Sequence, residues 1–416
     1  MAVFNKIKAG ALQYVLIISV IIAIVLLGFI MLINLQQKVK LKNKLYKESI
    51  TNVMNGFSYQ SHHEIPHNKE TIRQFSQNFN EETVLKRKPW GVFDVAFVSS
   101  KVKKEFFMKV ALMGWVTDKP KALYLKENNT PLVVVGKTKI KGDVYIPMQG
   151  VKTGNIAGNS FAGSALFYGK EYCSKSQLPS IKNKVQLRNY FKHNFWQEEA
   201  IALSLNEGIN LVNSFNQNTL VYSDSNLLKL ENLSLTGNIM IRSNTKIIIE
   251  KSAKLKDIIL MAPEIIVKSG VTGNFQCFAG KMIQVENECN LNYPSALIVL
   301  NIEENKDSNI TIGRNSSVKG CVVYDSDNDT MENLYTPQIV ISENSIVTGN
   351  IYCSANTELL GTVRGTVFTN NFITKQYGST YINHLYNGQI LNDVLSKEFA
   401  GLPIDATKSS IAKWLY

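Results

Sequence analysis

Apolar side chains recur at fixed distances around a turn residue over residues 227–370. They lie ten, eight and two residues before it and two residues after it. Alternation of apolar and polar residues predicts a strand with one buried face, and the Gly, Asn, Asp and Ser between the halves predict turns. The two clearest copies are Ile339, Ile341, Val347, Gly349, Ile351 and Ile310, Ile312, Val318, Gly320, Val322.

The repeat has further, less regular copies. These are Ile265, Val271, Gly273, Phe275 (with Pro263 at the first place); Ile247, Ile249, Leu255, Asp257, Ile259; Leu235, Gly237, Ile239; Leu359, Gly361, Val363; and Ile283, Cys289, Leu291, Tyr293. The central residues 237, 257, 273, 291, 320 and 349 are 16 to 29 residues apart. Short strands at such steps favour a parallel β-helix, because each coil buries its inner face only against its neighbours. An antiparallel sandwich of short strands is the alternative.

The predicted fold class is therefore mainly β, with a single-strand parallel β-helix body and an N-terminal transmembrane α-helix. An upstream copy, Leu132, Val134, Ile140, Gly142, Val144, places the start of the coil before residue 160. The expected domains are an N-terminal tail and transmembrane anchor (1–34), a helical stalk or linker (35–89), a β-rich region and start of the coil (90–156), an insertion (157–226), the parallel β-helix (227–371) and a C-terminal cap (372–416). Strand-like residues 90–135 are expected to cap the N-terminal end of the coil.

Residues 11–33 form a run of 23 residues without a formal charge, rich in Ile, Leu and Val. A helix of this length spans the roughly 30 Å hydrocarbon core of a bilayer. A buried core helix and a cleaved signal peptide are the alternatives, but the run is longer than the apolar region of a signal peptide. Two lysines precede the run and five follow it, a count that would place the C-terminal side in the cytoplasm. Large domains can translocate largely regardless of such counts, however, and we expect the body on the outer, periplasmic face of an inner membrane.

Beyond the run, Leu35, Val39, Tyr46, Val53 and Phe57 keep helical spacing with lysines between them. This pattern predicts a stalk packed on a partner or on the body, or alternatively a lysine-rich linker at lipid headgroups.

The net charge of +12 is divided unevenly, since the first fifty residues contribute seven lysines and one acid (Glu48). The remaining 366 residues therefore share only +6. A body this mildly basic argues against a nucleic-acid partner.

Residues His63-Glu64-Ile65-Pro66-His67 match the H-E-x-x-H pattern of zinc peptidases. Pro66 disfavours the helix that would place both histidines on one face, so we expect a surface turn here and no catalytic residues.

Asp325, Asp327 and Asp329 resemble the start of a calcium loop, but Thr330 and Thr336 replace its glycine and glutamate. A solvated loop is expected there. The five cysteines include no CxxC pair, and Cys277 and Cys353 share one repeat position, which predicts inward-facing side chains. No metal ligand and no cofactor-binding residue is predicted.

The repeat resembles the bactofilins, bacterial β-helix proteins that polymerise end to end, sometimes with a membrane-binding N-terminus. The start loosely resembles type IV pilin-like proteins: a short basic leader, Ala9-Gly10-Ala11-Leu12 as a processing junction, then a long apolar helix, with Val15 where a glutamate is usual. These resemblances imply a structural protein that assembles.

The sequence as a whole predicts a non-catalytic, membrane-anchored scaffold or pilin-like protein of the bacterial cell envelope. The expected partners are the lipid bilayer and other protein subunits, or further copies of the chain. A β-helical carbohydrate-binding or carbohydrate-active envelope protein is the alternative, and aromatic residues clustered with acids on one coil face would favour it.

Overall fold

A computed structural model of the chain describes residues 9–76, 81–182, 184–191, 201–205, 208–302, 305–326 and 335–415. The chain divides into two units. The first comprises Met1–Ser58, Glu70–Leu85 and Val98–Lys109, and the second comprises Tyr59–Lys69, Lys86–Phe97 and Val110–Tyr416. The predicted basic leader lies outside the described residues.

Helix α1 spans Ala9–His62 and is long and apolar enough to cross a membrane. It ends just before the segment that contains Pro66, whose ring disfavours helical geometry at Ile65. The expected stalk is helical only this far, since Glu70–Arg73 and Glu81–Trp90 form strands of a sheet.

The first unit contains α1 through Ser58 and parts of an antiparallel sheet. The sheet has the strand order β1-β2-β3-β4-β31. Two-residue connections join β2 to β3 and β3 to β4, which only antiparallel neighbours allow. Its strands are β1 (Glu70–Arg73), β2 (Glu81–Trp90), β3 (Phe93–Val102), β4 (Glu105–Thr117) and β31 (Ala406–Trp414).

The core of the first unit lies between the C-terminal part of α1 and the strands. Val53 and Phe57 of the helix and Leu85 and Val98 of the strands are buried. A Cβ atom on Gly56 would lie 2.6 Å from Val98 Cγ1, so glycine permits the close approach of helix and sheet. Of the stalk residues, Val53 and Phe57 pack here, whereas Leu35, Val39 and Tyr46 are exposed.

The second unit is built mainly from parallel strands, which we call the parallel stack. They are β5 (Leu123–Leu125), β6 (Leu132–Val135), β7 (Lys139–Lys141), β8 (Val144–Ile146), β9 (Val151–Thr153), β12 (Glu171–Cys173), β13 (Ile201–Ala202), β14 (Asn210–Asn213), β15 (Leu220–Asp224), β16 (Leu228–Leu230), β17 (Ser234–Gly237), β18 (Ile239–Ser243), β19 (Lys246–Ile249), β20 (Lys254–Val267), β21 (Thr272–Val285), β22 (Asn290–Asn301), β23 (Asn309–Ile312), β24 (Ser317–Ser326), β25 (Ile339–Ile341), β26 (Ile346–Leu359), β27 (Thr362–Gln376), β29 (His384–Tyr386) and β30 (Gln389–Leu391). The remaining elements are β10 (Asn155–Ile156), β11 (Asn159–Ser160), β28 (Ser379–Ile382), helix α2 (Lys184–Asn189) and a 3₁₀ turn (Asn392–Val394).

The long strands of the stack pair in parallel with one another. Strand β20 pairs with β21, β21 with β22, β22 with β24, β24 with β26 and β26 with β27. The register matches equivalent repeat positions, since Val347 faces Val318 and Ile351 faces Val322. The inward side chains form one continuous apolar cluster that includes Ile339 and Val367.

The upstream copy belongs to the stack but not at its beginning. Strand β27 pairs with β5, β30 pairs with β7, and β29 pairs with β6. Residues 123–173 therefore follow the last C-terminal coil in space, although they precede every other coil in sequence. Strands β5 and β7 of this copy are thus paired with the C-terminal strands β27 and β30.

Residues 157–226 and 372–416 also contain strands that pair with other parts of the chain. The expected insertion at 157–226 contributes strands to the stack: β12 pairs with β8, and β14 pairs with β17. The expected cap at 372–416 is divided, because β29 and β30 join the stack while β31 pairs with β4.

The strands from residues 90–135 do not cap the coil end as a group. Val92, Val95 and Leu112 pack in a second apolar cluster against outward-facing side chains of the stack, including Ile259 and Ile298. The antiparallel strands of the second unit thus cover the outer side of one face of the stack.

The repeat register is corrected at several positions. Ile265, rather than Pro263, stands at the first place of its copy because it pairs with Ile247. Ser295, rather than Leu291, is the partner of Gly320. Phe275 pairs with Ile258, because a register shift lies at Asp257, and Ile259 consequently faces outward. Gly365, rather than Gly361, is the partner of Gly349.

Candidate functional site

The two histidines of the His63–His67 motif lie in different surroundings. His63 lies just beyond α1, with its ring stacked on Tyr59 at 4.1 Å between centroids, whereas His67 Nε2 lies 3.0 Å from Asp94 Oδ1. The two histidines therefore have separate partners and do not share a helix face. Among the described residues, no group of three or more His, Cys, Asp or Glu side chains is placed to hold a metal ion.

His67 and Asp94 belong to a charged network around the buried side chain of Arg87. The Arg87 guanidinium donates hydrogen bonds to Gln60 Oε1 at 3.0 Å and to Ser409 Oγ at 2.8 Å, and lies 3.7 Å from Asp94 Oδ2. The hydrogen bond to Asp94 raises the pKa of His67, while burial lowers the pKa of Arg87. These contacts tie the residues after α1 to strands β2, β3 and β31.

A cleft of about 870 Å³ opens beside this network. Its polar lining includes Glu64, His67 and Lys182. Lys182 Nζ donates to the carbonyl oxygen of Ala406 at 2.7 Å and lies 5.5 Å from the centroid of Trp115. Arg87 and Lys182, two cationic side chains that line the cleft, thus already have partners. This arrangement favours a structural role for the network.

Asp325, the first residue of the predicted calcium loop, is buried and forms an ion pair with Lys184 Nζ at 2.7 Å. The expected solvated loop is wrong at this residue, because the carboxylate faces helix α2. Asp327 and Asp329 lie outside the described residues.

Four of the five cysteines are buried and Cys173 is exposed. Cys277 and Cys353 face the inner cluster of the stack, as their shared repeat position predicts. Burial raises the pKa of Cys321 and of Cys353 to about 12, so these thiols are inert core groups.

The most distinctive site is a column of aromatic rings. The rings point outward from the parallel stack, on the face that the antiparallel strands cover. Successive coils contribute Tyr352, Phe368, Tyr124, Tyr145 and Tyr172. Ring centroids are 6.2 Å apart for Phe368 and Tyr124, 5.6 Å for Tyr124 and Tyr145, and 4.8 Å for Tyr145 and Tyr172. The first three rings are buried, Tyr145 is half-buried and Tyr172 is 39% exposed. The rings therefore become more exposed towards the Tyr172 end of the column.

Strand alternation places these rings outside the coil. Leu123 and Leu125 flank Tyr124, and Val144 and Ile146 flank Tyr145; all four apolar side chains belong to the inner cluster. Because successive residues of a strand point to opposite faces, the tyrosines must point outward.

A cleft of about 580 Å³, which we call the tyrosine cleft, lies where the column emerges. Its lining is Asp118, Lys119, Lys121, Tyr124, Tyr145, Cys173, Lys175, Gln177, Leu178, Pro179, Asp405 and Thr407. Lys121 is 6% exposed, with its Nζ 2.8 Å from Asp405 Oδ2 and 4.5 Å from the centroid of Tyr145. Thr407 Oγ1 donates a hydrogen bond to Asp118.

Local sequence patterns do not reveal this site. Its aromatic residues come from coils far apart in sequence, and the pairing of β5 with β27 brings Tyr124 beside Phe368. A signal was nevertheless present: this outward row carries apolar or aromatic residues, with Ile298 and Val323 preceding Tyr352, whereas another outward row carries polar residues such as Lys319 and Thr348.

No family model matches the chain, and no curated protein matches it. A solved structure, that of the competence-associated pilin ComZ from Thermus thermophilus, is similar over 89% of this chain and 95% of that chain, with 6% identity and a TM-score of 0.20. A TM-score this low carries no argument about fold or function. The resemblances to bactofilins and to type IV pilin-like proteins therefore rest on the sequence features alone.

Proposed function

We propose that this chain is a non-catalytic, membrane-anchored assembly protein of the bacterial cell envelope, with α1 as its anchor. One observation carries the proposal: the two parts of α1 differ in environment. The large apolar side chains between Leu12 and Ile33 are all exposed, whereas Val53 and Phe57 are buried in the first unit. The first part of the helix therefore needs an apolar environment that the chain itself does not provide.

The energetic case rests on that exposed apolar surface. The most apolar window of α1 has a mean hydropathy of 3.4 and is 0% buried. Removing one such Ile, Leu or Val side chain from water contributes about 1.5–3 kcal/mol. About twenty residues cross the hydrocarbon core, so the exposed part of α1 is long enough to span it.

The remaining helix favours assembly next to the membrane. Leu35, Val39 and Leu41 are exposed among lysines between the apolar run and the buried C-terminal part. Such a surface suits packing against a neighbouring helix, with lysine side chains at the lipid headgroups.

We further propose that the parallel stack is a single-strand β-helix that serves as a rigid body on the outer face of the membrane. Parallel pairing between equivalent repeat positions and the single inner cluster support it. An elongated body of this kind offers repeated surfaces to partners, which suits a scaffold rather than a catalyst.

Membrane extraction tests the anchor. We expect the full chain to stay in the membrane fraction after alkaline carbonate, and the Ile22→Lys, Leu26→Lys double variant to be released with an unchanged melting temperature of the body. Leu41→Lys, which adds charge beyond the apolar run, is the matched control and should stay in the membrane. Release of the unaltered chain by carbonate would disprove the anchor.

Purification of the native complex in mild detergent tests assembly. We expect the chain to migrate as a larger complex whose members cross-link through residues 12–41. Migration as a single chain at native expression levels, without a cross-linked partner, would refute the assembly role. Protease added to one side of sealed vesicles then decides which side carries the body.

A further inference from the structure

We propose that the tyrosine cleft binds a saccharide that carries a carboxylate or another negatively charged group. This proposal goes beyond the anchor and assembly role and does not depend on it. It rests on three features of the cleft: aromatic rings that order one wall of it, a fixed buried lysine with carboxylates, and an excess of positive charge.

The aromatic rings continue past the point where their cover ends. Along the covered part of this face, outward apolar side chains such as Ile259 and Ile298 are buried beneath the antiparallel strands. Tyr145 is only half-buried and Tyr172 is 39% exposed, yet both positions remain aromatic. Aromatic surface left uncovered beside a cleft is typical of a binding site.

The ring of Tyr145 is stacked between the rings of Tyr124 and Tyr172, with centroids 5.6 Å and 4.8 Å away, so neither of its faces is free for a ligand. Its part in the cleft is to hold the ammonium group of Lys121, which lies 4.5 Å from its centroid. The cleft volume of about 580 Å³ lies within the range of small-ligand sites and leaves room for a short saccharide.

The polar lining suits hydroxyl groups. Asp118 and Asp405 offer carboxylate oxygens that accept from sugar hydroxyls, while Gln177 and Thr407 can donate and accept. Lys121 is held in place by Asp405 and by the face of Tyr145, so this donor is already ordered before a ligand enters. Ordered groups lower the entropic cost of binding.

The charge of the lining selects the ligand class. Lys119, Lys121 and Lys175 carry three positive charges, against two negative charges on Asp118 and Asp405, which leaves a formal excess of +1. Lys119 and Lys175 are exposed at the cleft, where an ammonium group can reach a ligand carboxylate without burial. An acidic sugar therefore fits better than a neutral one.

A stacked aromatic ladder that only stabilises the coil is the competing explanation. It accounts for the buried rings of Tyr352 and Phe368, but it assigns no role to the lysine-rich cleft beside the last rings. The two explanations differ in one measurable property, which is binding of an acidic saccharide.

Titration calorimetry of the full chain in detergent tests the proposal, with tri-galacturonic acid as the probe and a neutral trisaccharide as its comparison. We expect binding of the acid that weakens with added salt, and affinity for the neutral sugar lower by about tenfold or more. The Lys119→Glu, Lys175→Glu double variant should lose binding of the acid, while Lys152→Glu, an exposed lysine outside the cleft, should retain it.

The aromatic contribution is measured separately. Tyr145→Phe keeps the ring and should bind, whereas Tyr145→Ala should bind about tenfold more weakly or not at all. Because Tyr145→Ala can also unfold the coil, its melting temperature is measured in parallel, and the exposed lysine variants decide the outcome if it is unfolded. Absence of binding by the unaltered chain, or equal binding by the double lysine variant, would overturn the proposal.

Discussion

A Cβ atom on Gly349 would lie 2.0 Å from the carbonyl oxygen of Gly320, its partner in the preceding coil. The backbone of Gly349 also has φ of +138°, which L side chains rarely adopt. Gly365 repeats both properties one coil later, with its Cβ position 1.9 Å from the Gly349 carbonyl oxygen. These glycines therefore mark a corner where backbones of successive coils approach too closely for any side chain.

We expect Gly349→Ala to destabilise the body by at least about 2 kcal/mol, because both the backbone conformation and the contact with a backbone atom become unfavourable. Gly280→Ala is the matched control, since nothing lies within 4 Å of its Cβ position. Its stability should change by no more than about 0.5 kcal/mol. Chemical denaturation of both variants measures the difference, and equal stabilities would show that the corner geometry is wrong.

The corner glycines also show which part of the strand register can be predicted from the sequence. The spacing around Gly320 and Gly349 predicts their equivalence, because one strand of a coil must present the same face as the next. The same spacing fails at Asp257, whose positive φ and register shift turn Ile259 outward. An apolar residue that faces outward under a second sheet is indistinguishable in sequence from one that faces the coil interior.

The position of residues 123–173 in the stack could not be predicted from the sequence, for a different reason. Local spacing identifies a coil but contains no information on which coil it contacts. The pairing of β5 with β27 joins residues more than two hundred positions apart, and the tyrosine cleft exists only because of it. The candidate site could therefore not be predicted, although the strand pattern was recognisable around Tyr124, Tyr145 and Phe368; Tyr172 lies in the segment that was expected to be an insertion.

Val347→Asp and Ile351→Asp should each unfold the body, because both side chains are completely buried in the inner cluster of the stack. An unpaired buried charge costs about 4 kcal/mol or more. Thr348→Asp is the control at the adjacent outward position, where Lys319 and Arg364 are its neighbours in the coils on either side. Thermal unfolding followed by circular dichroism should show loss of structure in the first two variants only; folded Val347→Asp and Ile351→Asp proteins of unchanged stability would disprove the inward register.

The His67–Asp94 pair should make stability depend on pH. Hydrogen bonding to Asp94 raises the pKa of His67, against burial and the positive charge of Arg87 and with a further contribution from Glu64. Protonated His67 is thus favoured in the folded state. Its stabilising effect is fully present below the unfolded pKa of about 6.5 and is lost as the pH rises through the higher folded value.

We therefore expect the stability difference between the unaltered chain and His67→Gln to be largest near pH 5.5 and to shrink towards pH 8.5. His63→Gln is the control, because His63 is exposed and stacks on Tyr59 instead of pairing with Asp94. Denaturation curves across this pH range give the comparison. A difference that grows with pH would contradict the proposed pairing.

Cys173 should be the first cysteine to react with iodoacetamide in the native protein. It is exposed at the tyrosine cleft, whereas Cys277, Cys289, Cys321 and Cys353 are buried, and burial raises the pKa of each of these four thiols. Since the thiolate is the reactive form, they should be alkylated only after unfolding. Intact mass spectrometry should find one label on the native chain, none on Cys173→Ser, and five on the denatured chain; rapid native labelling of a second cysteine would contradict the closed inner cluster. The same reaction reports on the cleft, because tri-galacturonic acid bound beside Cys173 should slow its alkylation without changing the pattern of the other four.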